Sequence, residues 1–296
     1  MQKKLGSFRT KGVHLNLEST LDKSRKFLMS YKDPWQADPM TSLSEDLDAR
    51  PYRLWHKCIA EFVGTLVFIY VGTMNGINGS ASGLVGAALA HGFTIFAMVS
   101  SLGPISGGHF NPSVSLAITL AGKLNPMHLP FYVMSQILGG FVGALLSRAS
   151  SLGDAYSVGL GGATLMGDGI TWEHGLITEI MLTAILNHVI LLTAVDTSSN
   201  VLAPLAIGLT LALDVCAGGA VTGASMNPAR SLGPNIAAAL FVDFDRRRNP
   251  FMLTTYLTAR SLWSYHWIYY AGPIVGATLA AGLYRLFLGR NKNRLL

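Results

Sequence analysis

Six stretches of this chain are apolar for about the length a helix needs to cross a bilayer, at roughly 56–76, 83–102, 127–147, 175–195, 202–220 and 265–288. Nothing else in the sequence limits the possible folds as strongly. A backbone in hydrocarbon must satisfy its own hydrogen bonds, so it forms helices or a closed barrel. Runs this long predict an all-α membrane protein with six transmembrane helices. Composition agrees: 50% of the 296 residues are hydrophobic and 13% are charged, against about 25% charged in soluble proteins. A soluble nucleotide-binding enzyme is excluded, because the Gly-rich patches lie inside membrane-length runs, where Gly lets helices approach closely. Cys58 and Cys216 fall in predicted spans and do not identify a redox compartment.

Lys and Arg set the expected orientation, because basic residues concentrate on the cytoplasmic side. Eleven of the 22 lie at or before Lys57, and Arg285, Arg290, Lys292 and Arg294 close the chain. Six spans put both ends on one side. With Lys123 that side holds sixteen, so both termini are expected in the cytoplasm. Residues 1–53 form a basic tail with no apolar core suited to a signal peptide. Their basic, acid-free start (Lys3, Lys4, Arg9, Lys11) is a faint transit-peptide pattern, and a cytosolic tail is the expectation. Arg246–Arg248 run against the rule and are read as a solvated loop near Asp243 and Asp245. The +6 net charge reflects tail bias, not a nucleic-acid surface.

The chain is also written twice. Glu61-Phe-Val-Gly-Thr65 opens the first span, and Glu179-Ile-Met-Leu-Thr183 lies early in the fourth. Asn111 follows Glu61 by 50 residues, and Asn227 follows Glu179 by 48. Each half, about 54–149 and 172–290, reads as a Glu-x-x-x-Thr helix, a second helix, an Asn-Pro box and a third helix. Three spans per half is odd, so the second half enters the membrane from the opposite face, giving an inverted repeat. Asn is a good N-cap and Pro suits the first helical residue. Asn111-Pro112-Ser113 and Asn227-Pro228-Ala229 are therefore helix starts. About ten apolar residues follow the first, a rise of roughly 15 Å, half of a roughly 30 Å core. Two re-entrant half-helices are predicted, entering from opposite faces with their positive ends meeting at the midplane. Gly107, Gly108, Gly219 and Gly223 are expected to unwind the approach.

With GHFNPSVSLA and MNPARSLGP in place, the chain resembles the aquaporin (major intrinsic protein) family over about residues 54–290, leaving 291–296 as a short tail. The resemblance implies six helices, two half-helices, one pore per subunit and a homotetramer. It implies a passive channel for water and small neutral solutes that excludes protons and ions. Asn111 and Asn227 would donate hydrogen bonds to passing water, while the half-helix dipoles and an Arg exclude protons and cations. Ser113 stands where the family has Ala. Its hydroxyl can back-bond within its own helix, so little effect on conduction is expected.

Intramembrane charge is costly and marks function by default. The resemblance gives Glu61 and Glu179 a structural role, accepting hydrogen bonds from the re-entrant loops. Ion coupling is the competing role. Counted from the boxes, the family's selectivity filter falls on His91, Val215, Ala224 and Arg230. Arg230 supplies fixed positive charge and guanidinium donors. Water-restricted members place Phe and His at the first two positions. His91 and Val215 resemble instead the ammonia- and hydrogen peroxide-permeable animal branch and the plant tonoplast type, as do AGGAVTGASMNPARSLGP and HWIYYAGP. Glycerol-type channels place Asp after the Arg and lose the aromatic pair of span six. Ser231 and Tyr269-Tyr270 favour the water side, and Asn235 is discordant. Cys216 adjoins the filter, which implies sensitivity to mercurials.

Asn78-Gly79-Ser80 is a glycosylation sequon close to the membrane. His109 and His188 fit gating or packing equally. A coupled transporter and an adhesive protein with a closed pore remain competing classes. No nucleophile-base pair, metal cluster or phosphate loop stands out, so neither enzyme chemistry nor a cofactor is expected, and the only partners are solutes, lipid and further copies of the chain.

Overall fold

A computed structural model of the protein describes residues 51–78, 83–197, 200–244, 260–290 and 292–295. Gly79 and Ser80 of the sequon, Arg246–Arg248 and residues 1–50 lie outside the described residues. Among the described residues there are helices and no strand.

Six helical segments have the length and hydropathy to cross a membrane. They contain α1 (Leu54–Ile77), α2 (Gly83–Ser106), α4 (Leu129–Ser150), α6 (Trp172–Ile190), α7 (Ala203–Thr222) and α9 (Ile268–Leu283). A π turn, Leu191–Val195, extends α6, and another, Tyr284–Leu288, extends α9. Two short helices follow the Asn-Pro pairs: α3 (Pro112–Leu120) and α8 (Pro228–Phe241). A six-residue helix, α5 (Gly153–Val158), opens the link between the halves. All six expected spans are present, with ends a few residues from the positions read off the sequence.

The packing shows the inverted repeat. Helix α1 lies on α4, α6 lies on α9, and α2 crosses α7. At that last crossing Gly92 and Gly208 meet. A Cβ on either would stand 2.5 Å from the other's carbonyl oxygen. The half-helices are exchanged between the halves: α8 packs on α4 of the first half, and α3 packs on α9 of the second. At nine residues, α3 spans about 13 Å. At 14 residues α8 is longer than α3, about 21 Å, and continues through Pro234.

The outward faces of the spans carry large exposed apolar side chains such as Phe93, Leu138, Ile177 and Leu213. This is the inverse of a soluble bundle and suits a lipid solvent. The interior holds Glu61, Gln136, Glu179, Asn187 and Asp214, all buried.

Candidate functional site

The site grows from two matching turns. After α2 the chain passes through Gly107, Gly108 and Phe110 at φ of 97°, 65° and 50°; after α7 it passes through Gly223, Ala224 and Met226 at 75°, 45° and 54°. Positive φ is the left-handed region, free for Gly and costly for residues with a Cβ. Three matched left-handed residues turn each chain back into the membrane. Gly219 takes no part in the unwinding expected of it. It lies inside α7, where a Cβ would stand 2.3 Å from Leu84, so its role is close packing.

The two glutamates hold the turns. Glu61 Oε1 accepts from Ser106 Oγ (2.6 Å) and His109 N–H (3.0 Å), and Oε2 accepts from Phe110 N–H (2.6 Å) and Gln136 Nε2 (2.8 Å). Glu179 Oε1 accepts from Thr222 Oγ1 (2.7 Å) and Ser225 N–H (2.9 Å), and Oε2 accepts from Met226 N–H (2.7 Å). Tyr132 donates its hydroxyl to the Ser106 carbonyl, and Tyr269 does the same for Thr222. Each left-handed non-glycine residue costs about 1–3 kcal/mol. Each hydrogen bond to a charged group returns about 1.5–3 kcal/mol. Three or four such bonds outweigh one or two strained residues, so the turns persist.

Beyond the turns the Asn-Pro pairs start the half-helices as expected. Asn111 Oδ1 accepts from Ser113 N–H (2.8 Å), and Asn227 Oδ1 accepts from the N–H groups of Ala229 (2.9 Å) and Arg230 (3.2 Å). The two starts are tied together: Asn111 Nδ2 donates to the Met226 carbonyl and Asn227 Nδ2 to the Phe110 carbonyl, both at 3.0 Å. Each carboxamide nitrogen carries two hydrogens, so one is fixed and the other is left for the space in front of it. Ser113 does more than was expected of it. Its hydroxyl lies 2.9 Å from Asn111 Oδ1 and 2.8 Å from the Met226 carbonyl across the seam, and its one hydrogen is shared between these two acceptors.

A cavity of about 340 Å³ reaches both asparagines. Its lining includes apolar Ile95, Val99, Leu186, Ile190, Ile207 and Leu211, together with Gly107, Gly108, His109 and Ser225. Lys57 and Lys123 also line it. His109 shares a hydrogen bond with Ser115 Oγ (3.0 Å), while His188 does not line the cavity.

A family model described as "Major intrinsic protein" matches residues 48–284. The chain belongs to the major intrinsic protein family. It is 36% identical to "Aquaporin-8" of Mus musculus over 266 residues, covering 87% of this chain and 94% of that one. It is 36% identical to "Aquaporin-8" of Rattus norvegicus over 242 residues, covering 81% and 84%. It is 34% identical to "Probable aquaporin TIP3-2" of Arabidopsis thaliana over 248 residues, covering 78% and 82%. In fold it is similar to the X-ray structure of the aquaglyceroporin from Plasmodium falciparum, with a TM-score of 0.61 at 22% identity, covering 78% of this chain and 96% of that one. This major intrinsic protein is thus a multi-pass integral membrane channel of the aquaporin type.

None of the four filter candidates lines this cavity. His91 is buried in α2; its Nδ1 bonds the Ala87 carbonyl (2.8 Å) and its ring meets Phe68 edge-on at 5.5 Å. A Cβ on Gly72 would stand 2.4 Å from its Nε2. Val215 and Ala224 are buried. The Arg230 guanidinium donates through Nη1 to the Gly162 carbonyl (3.3 Å) and to Thr164 Oγ1. Cys216 is exposed, next to buried Asp214 and Val215 in α7.

The sequence reading missed Gln136, Thr164 and Asp214. Gln136 had a usable signal, a lone amide in an apolar span. Asp214 had the same signal, next to Val215, and its Oδ2 is buried without a hydrogen-bond partner among the described residues. Thr164 had none, since it sits in the irregular stretch before α6.

At the opposite end from Arg230, Asp196 gathers the C-terminal segment. Its Oδ1 accepts from Asn293 Nδ2 (2.8 Å), Tyr284 Oη (3.0 Å) and Arg290 N–H (3.1 Å), and Arg290 Nε lies 3.4 Å from Oδ2. Burial pushes its pKa up, but these donors and the Arg290 charge outweigh burial and hold it below the usual aspartate value. Asn293 also accepts from Lys123 Nζ (2.6 Å), a residue that lines the cavity.

Proposed function

We propose that the protein is a passive pore for water and small neutral solutes, that ammonia and hydrogen peroxide are among them, and that glycerol is largely excluded. The joined boxes carry this reading. Two half-helix starts meet, each asparagine has one amide hydrogen committed to the opposite box, and a cavity leads to both. The remaining amide hydrogens serve as a relay of donors for single-file solutes. Asn111, Pro112, Ser113, Asn227, Pro228 and Ala229 are the central constriction. Glu61 and Glu179 are structural. The positive ends of α3 and α8 oppose cations there.

His91, Val215, Ala224 and Arg230 form the filter in this reading. Val215 and Ala224 give it a short apolar wall, which widens it compared with a Phe/His pair. His91 and Arg230 supply donors that replace part of a solute's hydration. Relatives named aquaporins, Aquaporin-8 among them, support a water path. The channel domain runs from 54 to 290 as two inverted repeats, about 54–149 and 172–290, with both chain ends in the cytoplasm. Four copies assemble, each with its own pore, and no catalytic chemistry is involved.

Stopped-flow shrinkage and solute entry in proteoliposomes test this, with Val215→His beside the wild type. The expected result is fast water flux, ammonia or peroxide flux well above lipid background, and weak glycerol flux. Val215→His should suppress ammonia and peroxide more than water. Saturating, ion-gradient-dependent flux would instead indicate a coupled transporter. Glycerol flux rivalling water, or an unchanged ranking in Val215→His, would overturn the filter assignment.

A further inference from the structure

Asn235, the residue that looked out of place in the second box, is fully buried in α8. Its Oδ1 accepts from the Thr164 N–H (2.8 Å), and its Nδ2 donates to the Thr164 carbonyl (3.2 Å). The carboxamide thus grips both sides of one residue, as a neighbouring strand would. Nδ2 also donates to the Leu262 carbonyl (2.9 Å) and lies 3.4 Å from His266 Nδ1, on the segment that enters α9. One side chain ties three pieces of chain together: α8, the irregular link before α6 and the approach to α9.

Thr164 is the point where this reaches the pore. Its hydroxyl accepts from Arg230 Nη1, and the neighbouring Gly162 carbonyl accepts from the same nitrogen at 3.3 Å. Its methyl would lie 3.3 Å from a Cβ on Gly223, the residue before Ala224. The link is pinned again where Gly167 N–H donates to the Val221 carbonyl (2.8 Å). Arg230 lies five residues before Asn235 on the same half-helix. The base of the guanidinium and the residue that receives it are therefore fixed from one element.

We infer that Asn235 is a positioning residue of the filter: by locking Thr164 it sets where the Arg230 guanidinium points, and so how wide and how polar the opening is. The inference rests on the reading of Arg230 as a filter residue. A small residue at 235 would leave the Thr164 N–H and carbonyl unpaired in a buried site, where an unmade bond is costly. The link would shift to find partners, and Arg230 would lose its fixed acceptors.

The test is the glycerol-to-water and urea-to-water permeability ratio in proteoliposomes for wild type, Asn235→Ala, Thr164→Val, the double variant and Arg230→Val. A ratio does not depend on how many channels fold, so a merely structural loss leaves it unchanged. Asn235→Ala and Thr164→Val should each raise it roughly two- to tenfold, the span of one lost hydrogen bond. The double variant should add little to the larger single effect, because both changes release the same contact. If Asn235→Ala fails to assemble, Asn235→Ser carries the same expectation. An unchanged ratio in Asn235→Ala beside a raised ratio in Arg230→Val overturns the inference and leaves the filter reading standing. An unchanged ratio in Arg230→Val overturns both. Fully additive effects of the two single changes overturn the route through Thr164.

Discussion

The two halves use the same frame and differ in what they hang on it. Glutamate, hydroxyl, tyrosine and box asparagine occupy corresponding places, and their hydrogen bonds match partner for partner. The differences are concentrated at the boxes. The first turn has Gly108 where the second has Ala224, so the first carries one strained residue, Phe110, and the second carries two. The first glutamate takes a fourth donor from Gln136, and among the described residues the second has no such donor. Three residues past the asparagine, the first half has Val114 and the second has Arg230. The half with more strain carries the charge. Strained backbone tends to be stored where a site needs a particular geometry, and here the extra strained residue, Ala224, lies three residues before Asn227.

The strongest way to break the comparison is to remove the shared frame. Glu61→Leu and Glu179→Leu should each abolish most folded, conducting protein, because three or four buried donors lose their acceptor at about 1–3 kcal/mol each. Both should fail alike in detergent-solubilised yield and thermal stability. Glu61→Gln and Glu179→Gln keep an acceptor and should retain most flux per channel. If the Gln variants fold normally but do not conduct, the carboxylates couple ions and the frame is not merely structural.

Next in size is the change that makes the halves alike, Arg230→Val, which gives the second half what the first has at Val114. It should raise the glycerol-to-water ratio by about tenfold, as a charge and its donors leave the opening, and admit a cation leak measurable in voltage-clamped cells. An intact barrier to ions would place cation exclusion with the half-helix dipoles alone.

Ser113→Ala makes the first box read like the second. It removes one bond across the seam, worth about 0.5–1.5 kcal/mol. A thermal midpoint lower by a few degrees with unchanged water flux per channel is expected. A changed solute ranking would show that the hydroxyl faces the path.

The smallest effect concerns the far ends of α1 and α6. Counted from the two glutamates, Asp196 falls where the first half has Asn78. The carboxylate holds the C-terminal segment, and its pKa is depressed. A depressed pKa means the contribution is complete above the ordinary aspartate value of about 3.9 and is lost as pH falls through the lower folded value. Hydrogen exchange of the C-terminal segment should therefore stay equally protected from pH 8 to pH 5, once corrected for intrinsic rates. Asp196→Asn should loosen it at every pH in that range. Loss of protection near pH 6 would mean another group holds the segment.

The sequence showed most of the frame because its signals are local or repeated. Hydropathy placed all six spans, and Asn-Pro placed both half-helix starts through capping chemistry that spans two or three residues. The register of Glu61 and Glu179 paired the halves. The left-handed Phe110 and Met226 left no trace, since their conformation is imposed by a glutamate about 50 residues earlier. Asn235 was legible only as a discord, because its partner Thr164 lies in an irregular link whose polar residues follow no period. The length of α8 has no local signal, since Pro234, a residue that usually breaks a helix, sits in its interior.

The exchange of half-helices has a consequence for how the chain is made. Translation delivers α3 long before α9, its packing partner, and before Met226, whose carbonyl receives the Asn111 amide. Until the last span emerges, the first half is an open shell whose re-entrant segment lacks its far wall. The contacts that complete the midplane are among the most distant in sequence, and contacts of that kind form late and slowly. Until α9 is made, α3 therefore lacks one of the helices it packs against. Truncation before that helix leaves two unfinished modules rather than a smaller pore.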